Sequence, residues 1–186
     1  IMALLTSLLV VQATTNAVTP ILSLSVMQLA PQASSHTIVL LTGLVAAAPG
    51  GATILMAGRI GRLIDRLGAG RCLLIFLGLA ISDLILTSLV QQVGQLIILR
   101  LILGIADAAL LPALQVMTVE RVPQVAFGRV FSLNQSAQAC GNVVGPGLAV
   151  LVANQWGYQP IFLVTASLQV IALGLWGLYF HQQPGR

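Results

Sequence analysis

Two ionisable residues of opposite sign, Arg100 and Asp107, interrupt one long apolar run. They belong to a string, Arg100, Gly104, Asp107, Leu111 and Gln115, spaced by 4, 3, 4 and 4 residues. In a helix that spacing puts all five on one face. Charge at membrane depth is costly and usually faces a bundle interior or a watery cavity. At a rise of about 1.5 Å per residue, Asp107 lies roughly 18 Å from the outer end of its span, with Arg100 about 10 Å away along the same face. A carboxyl held between a desolvating environment and a nearby cation is suited to taking up and releasing a proton. The alternative is a packing role, with Asp107 neutral or salt-bridged and Arg100 near the outer interface. Asp83, in the preceding apolar run, is the other buried acid. It could pair with Arg100 at similar depth across an antiparallel hairpin, and a structural role is expected for it.

Uncharged polar residues form two further stripes. Asn134, Gln138 and Asn142 are four residues apart, and Gln12 and Asn16 likewise, with Thr15 and Thr19 beside them before Pro20. Such groups need partners or water when buried. They are candidates for lining a cavity together with Gln115, although interhelical hydrogen bonding would explain them equally well. Gly141 and Gly145, four apart and followed by Pro146, suit close helix packing and a bend. Enzyme chemistry finds no support: there is no nucleophile–base pair and no phosphate loop. Cys72 and Cys140 lack ligand spacing, and His36 and His181 sit near span ends. No cofactor or metal is expected.

The elements that must position these residues follow from composition. Of 186 residues, 58% are hydrophobic and 6% charged, with a mean hydropathy of +1.00. A soluble domain carries about 25% charged residues. Six apolar segments, 2–29, 37–57, 72–91, 95–118, 128–153 and 159–180, are long enough to cross a bilayer as helices. Alternating polarity, the mark of membrane β-strands, is absent. The expected fold is therefore an all-α integral membrane bundle of six transmembrane helices.

All eight basic residues are arginines, and seven fall in breaks on one side of such a bundle. Arg59, Arg62, Arg66 and Arg71 follow the second span, Arg121 and Arg129 the fourth, and Arg186 the sixth. The positive-inside rule makes that side cytoplasmic, with both chain ends there. The basic pI thus reflects topology, and no nucleic-acid partner is expected. The chain opens at Ile1 inside an apolar run without a charged leader, which suggests a cut from a longer protein; a start at Met2 is the other reading.

The second break reads Gly58-Arg-Ile-Gly-Arg-Leu-Ile-Asp-Arg-Leu-Gly-Ala-Gly-Arg71. Its core, Gly61-x-Leu63-x-Asp65-Arg66-x-Gly68 with Arg71 beyond, resembles the signature loop of the major facilitator superfamily. Ala69 departs from it, standing where many members have a basic residue. Wider likeness, to the second half of MdtG-type multidrug efflux transporters of that superfamily, runs from the first span to the sixth. Its most specific strings are Gly104-Ile-Ala-Asp-Ala-Ala-Leu-Leu-Pro112 and Phe131-Ser-Leu-Asn-Gln-Ser136. Gly141-Asn-Val-Val-Gly-Pro146 is similar to the family's antiporter motif.

The resemblance implies one half of a twelve-helix fold working by alternating access, in the inner (plasma) membrane of a bacterium. The partners it implies are a lipid bilayer, an N-terminal six-helix half, a small-molecule substrate and protons. It further implies that the first and fourth spans line the cavity and that the second and fifth form the rocking interface. The Asp65 loop would latch the cytoplasmic side against Gly128 and Arg129, with Glu120 as a further acidic partner. A half-size protein that homodimerises, or a non-transporting membrane scaffold, is the alternative. The substrate is not legible in the residues.

Overall fold

The computed structural model describes residues 2–120, 122–157 and 159–181. Among them every regular element is helical. Arg121 and Arg186, two of the seven arginines assigned to one side, and Tyr158 lie outside the described residues. Lipid offers backbone groups no hydrogen bonds, so helices that satisfy their own are the economical answer for apolar runs of this length.

Helix α1 (Met2–Ala17) is followed by a 3-10 turn (Thr19–Ile21) and by α2 (Leu22–Leu29). The expected single span over 2–29 is therefore broken near its middle. Pro20 is the cause, because its ring removes an N–H donor and crowds the preceding turn. Helix α3 spans Ser35–Leu67, α4 Ala69–Ser88, α5 Val93–Val119, α6 Phe127–Trp156 and α7 Gln159–His181. Five stretches, Leu4–Leu29, Ser35–Leu67, Ala69–Ser88, Val93–Val119 and Gln124–Trp156, are long and apolar enough to cross a membrane. Pro160–Gly174 of α7 is a shorter apolar helical stretch.

The largest departure from expectation lies between the second and third spans. Residues 58–67, read from sequence as part of a loop, continue α3 as helix. Ile60 and Ile64, one turn apart and both buried, carry the apolar stripe of α3 onward into the core beside Cys72 and Leu73. Arg59, Arg62 and Arg66 point outward along the same extension. The turn is confined to Gly68, whose φ of 84° lies in the left-handed region that glycine tolerates.

Consecutive helices form hairpins, which brings the C-terminal end of α3, the start of α4 and the start of α6 to one end of the bundle. Helix α5 packs on α3 and α4, α1 on α6 and α7, and α4 on α7. Two close approaches set this arrangement. A Cβ at Gly104 would collide with the backbone of Pro49, so α5 and α3 meet backbone to backbone. The Thr53 hydroxyl fixes that crossing, lying 3.0 Å from both the Gly104 and the Pro49 carbonyls. A Cβ at Gly145 would collide with Ala13, and one at Gly141 would come within 2.7 Å of the Leu9 carbonyl. The small-residue pair of α6 thus receives α1 across two turns.

Candidate functional site

Helix α1 lies between α5 and α6 and shares polar contacts with both. Thr15 Oγ1 donates a 3.3 Å hydrogen bond to Asp107 Oδ1. One residue on, Asn16 Nδ2 donates to Asn142 Oδ1 at 2.9 Å and also to the Gln12 carbonyl. The Gln12 side chain lies beside Gly141, where the missing Cβ leaves room for it. The polar stripes of α1 and α6 and the acid of α5 therefore meet across three helices separated by up to 126 residues. Asp107 is half-buried, as are Gln12, Thr15, Asn16, Gln115 and Gln138. Asn142 is exposed.

The five residues of α5 singled out by spacing share one helix face. It meets different neighbours along its length. Gly104 abuts α3, Asp107 meets Thr15 of α1, and Arg100 is 5% exposed, with its guanidinium 6.0 Å from the Phe162 ring centre of α7. Asp83, on the neighbouring α4, is 3% exposed. Spacing alone cannot foresee this, because a helix face tens of ångströms long crosses more than one partner.

Asn134 is buried, and neither its Oδ1 nor its Nδ2 has a partner among the described residues. Gln138 and Gln115 likewise make no side-chain hydrogen bond among the described residues. Asp65, Glu120 and Arg129 are exposed, and among the described residues none has a hydrogen-bond or ion-pair partner. Helix α3 packs on α2, α4 and α5, whereas α6 packs on α1 and α7. Among the described residues no contact is made between Asp65 and Gly128, Arg129 or Glu120. The remaining loop residues, Gly61, Arg66 and Arg71, are exposed beside it. Pro146 stands inside a continuous α6.

Two polar links were missed from sequence. Gln169, 1% exposed in α7, donates through Nε2 to Thr14 Oγ1 at 2.9 Å, while that hydroxyl itself donates to the preceding turn of α1. A lone Gln within an apolar span was the available signal, since lipid leaves such an amide no other partner. The other is the Thr53 bridge between α3 and α5, whose Ser/Thr type blends into any helix.

The sequence pattern of the Major Facilitator Superfamily matches residues 4–186. The chain belongs to the major facilitator superfamily. It is 41% identical over 171 residues to the multidrug resistance protein MdtG of Dickeya zeae (strain Ech586), covering 92% of this chain and 41% of that relative. MdtG of Salmonella arizonae and of Salmonella newport are each 39% identical over 168 residues, covering 90% of this chain and 41% of theirs. The chain spans about two fifths of the length of the curated relatives it matches. Superfamily membership agrees with the apolar helices in making it an integral membrane protein of a transport family.

Proposed function

We propose that this chain is the C-terminal six-helix half of a drug-efflux transporter that exchanges its substrate for protons by alternating access. The observation that carries the reading is the Thr15–Asp107 hydrogen bond. It holds a half-buried carboxyl of α5 against α1, beside the Asn16–Asn142 pair. An intramembrane acid facing a polar seam is the arrangement a proton-coupled carrier needs. Gln12, Asn16, Gln115 and Asn142 would line the path with Asp107. Arg100 would act as its counter-charge. Asn134 and Gln138 would extend the polar surface of α6.

The remainder of the cavity belongs, on this reading, to an N-terminal half. Only 17% of the apolar windows of α3 and α6 is buried, against 50% in the first stretch, α4 and α5. Those two helices offer the faces that a second bundle would cover. The Asp65 side chain, without a partner among the described residues, would complete its latch against that second half, with the arginine-bearing side of the bundle cytoplasmic. The membrane would be a bacterial inner membrane, and the protein a carrier instead of an enzyme.

The test is Asp107→Asn in the full-length transporter. Proton-transfer groups contribute roughly 100-fold or more to the steps they serve, so energised drug efflux should fall to background while membrane insertion is kept. Unchanged resistance at matched expression would remove Asp107 from the mechanism.

A further inference from the structure

The strongest unexplained feature joins α4 to α5, the helix that carries Asp107. Asp83 and Arg100 are 3% and 5% exposed, on α4 and α5 of one hairpin. Asp83 Oδ1 and Arg100 Nη2 are both buried, yet neither atom has a hydrogen-bond partner among the described residues. Helices α4 and α5 pack on each other, and Asp107 follows Arg100 by seven residues on α5. The guanidinium instead rests over the ring of Phe162. A buried acid and a buried base with free complementary atoms thus stand on two packed helices without a bond between those atoms, a pair that can engage when the helices shift.

Charge counting sharpens this. Two carboxylates and one guanidinium sum to one negative charge, and a net charge buried at this depth is strongly disfavoured. One proton placed on either acid makes the group neutral. Arg100, on the hairpin that carries both acids, can compensate whichever is ionised. Among the described residues no other charged side chain lies at this depth. Helices α1 and α2 and the Pro160–Gly174 stretch of α7 contain no ionisable side chain. In α3, His36, Arg59, Arg62, Asp65 and Arg66 are exposed near its two ends, as is Glu120 at the end of α5. Arg71 and Cys72 stand at the far end of α4, where the Cys72 thiol donates to the Leu63 carbonyl.

A small pocket of about 10 Å³, room for at most about one water, lies at the end of the bundle opposite the arginines and is lined in part by Ser25, Thr87, Ser88 and Phe162. Thr87 donates to the Asp83 backbone carbonyl at 2.8 Å, and Phe162 is the ring beneath Arg100. Two residues of the pocket wall thus neighbour the buried pair.

We propose that Asp83 is a second proton-carrying group of this transporter, and that Arg100 pairs alternately with Asp83 and Asp107. In one state Asp107 is protonated and Arg100 neutralises the Asp83 carboxylate. In the other the proton has moved from the Asp107 carboxyl to Asp83, and Arg100, protonated throughout, neutralises Asp107. The group stays neutral in both. Asp83, one helical turn from Thr87 in the pocket wall, is the exchange point with the side opposite the arginines. The proposal rests on the reading of Asp107 as the coupling carboxyl.

The experiment uses the full-length transporter in everted membrane vesicles, with ethidium as the transported probe. Two rates are read: uptake driven by an imposed pH gradient, and ethidium exchange without a gradient. Asp83→Asn should lower driven uptake by about tenfold or more and leave exchange within about twofold, and Asp83→Glu should restore driven uptake at least in part. Driven uptake by Asp83→Asn equal to wild type would overturn the role of Asp83 and leave Asp107 untouched. Equal loss of driven uptake and exchange would mark a purely structural residue and overturn it too. Absence of gradient-driven uptake in the wild type would instead bring down the coupling reading, and this proposal with it. Should Asp83→Asn fail to reach the membrane, Asp83→Glu decides: its pH profile of driven uptake should move by about 0.5 unit or more, and an unmoved profile overturns the proposal.

Discussion

At the scale of single residues, the polar seam depends on a donor that carries no charge. Thr15 gives Asp107 its cross-helix hydrogen bond, and the net worth of such a bond is about 1 kcal/mol. Thr15→Val should therefore slow drug efflux by roughly fivefold at matched expression, whereas Thr15→Ser, which keeps the hydroxyl, should stay near wild type. Efflux rates measured in cells decide between them, and equal slowing by both would indicate packing instead of hydrogen bonding. The acid itself was legible in the sequence, because an ionised side chain in an apolar run stands out. Its partner was not. Thr15 is 92 residues away, and a threonine in a membrane helix usually bonds its own preceding turn. The same limit hid the Thr14–Gln169 link. Gln169→Leu should cost about 0.6 kcal/mol in a thermodynamic cycle with Thr14→Val, the mean found for interhelical bonds in membranes; additivity of the two losses would show no coupling.

At the scale of helices, glycines sort into contact points and spectators. Gly104 and Gly145 sit where α5 meets Pro49 and α6 meets Ala13, while a Cβ at Gly147 would meet nothing within 4 Å. Gly104→Ala and Gly145→Ala should each destabilise the bundle by about 1–3 kcal/mol, as overpacking does elsewhere, and Gly147→Ala should be neutral. Thermal unfolding in detergent distinguishes them; three equal midpoints would contradict the backbone contacts. The Gly141–Gly145 spacing announced a packing surface in advance. Gly104 did not, since its opposite surface is the Pro49 turn of another helix. Helix ends were the least legible. Pro20 broke a span that hydropathy alone reads as continuous. In α3 the stripe of Ile60 and Ile64 extended a helix through residues whose arginines and glycines look like loop.

At the scale of the whole molecule, the bundle leaves α3 and α6 poorly covered, and Asp65 without a partner among the described residues. Both fit a chain that completes itself against another bundle. Expressed as two separate polypeptides, this chain and the remainder of the full-length transporter should together restore drug resistance, and neither should do so alone. Resistance from this chain by itself would favour a self-sufficient half that dimerises. The fold class was legible because lipid accepts few solutions for apolar runs of this length. The interface was not, since an apolar face toward lipid and one toward protein have the same composition.

Proton release on substrate binding tests the central claim most directly. In weakly buffered detergent solution, adding ethidium to the purified full-length transporter should release protons from the wild type and none from Asp107→Asn at equal ethidium occupancy. Equal release from the two proteins would contradict the account, because the exchanged proton would then reside elsewhere.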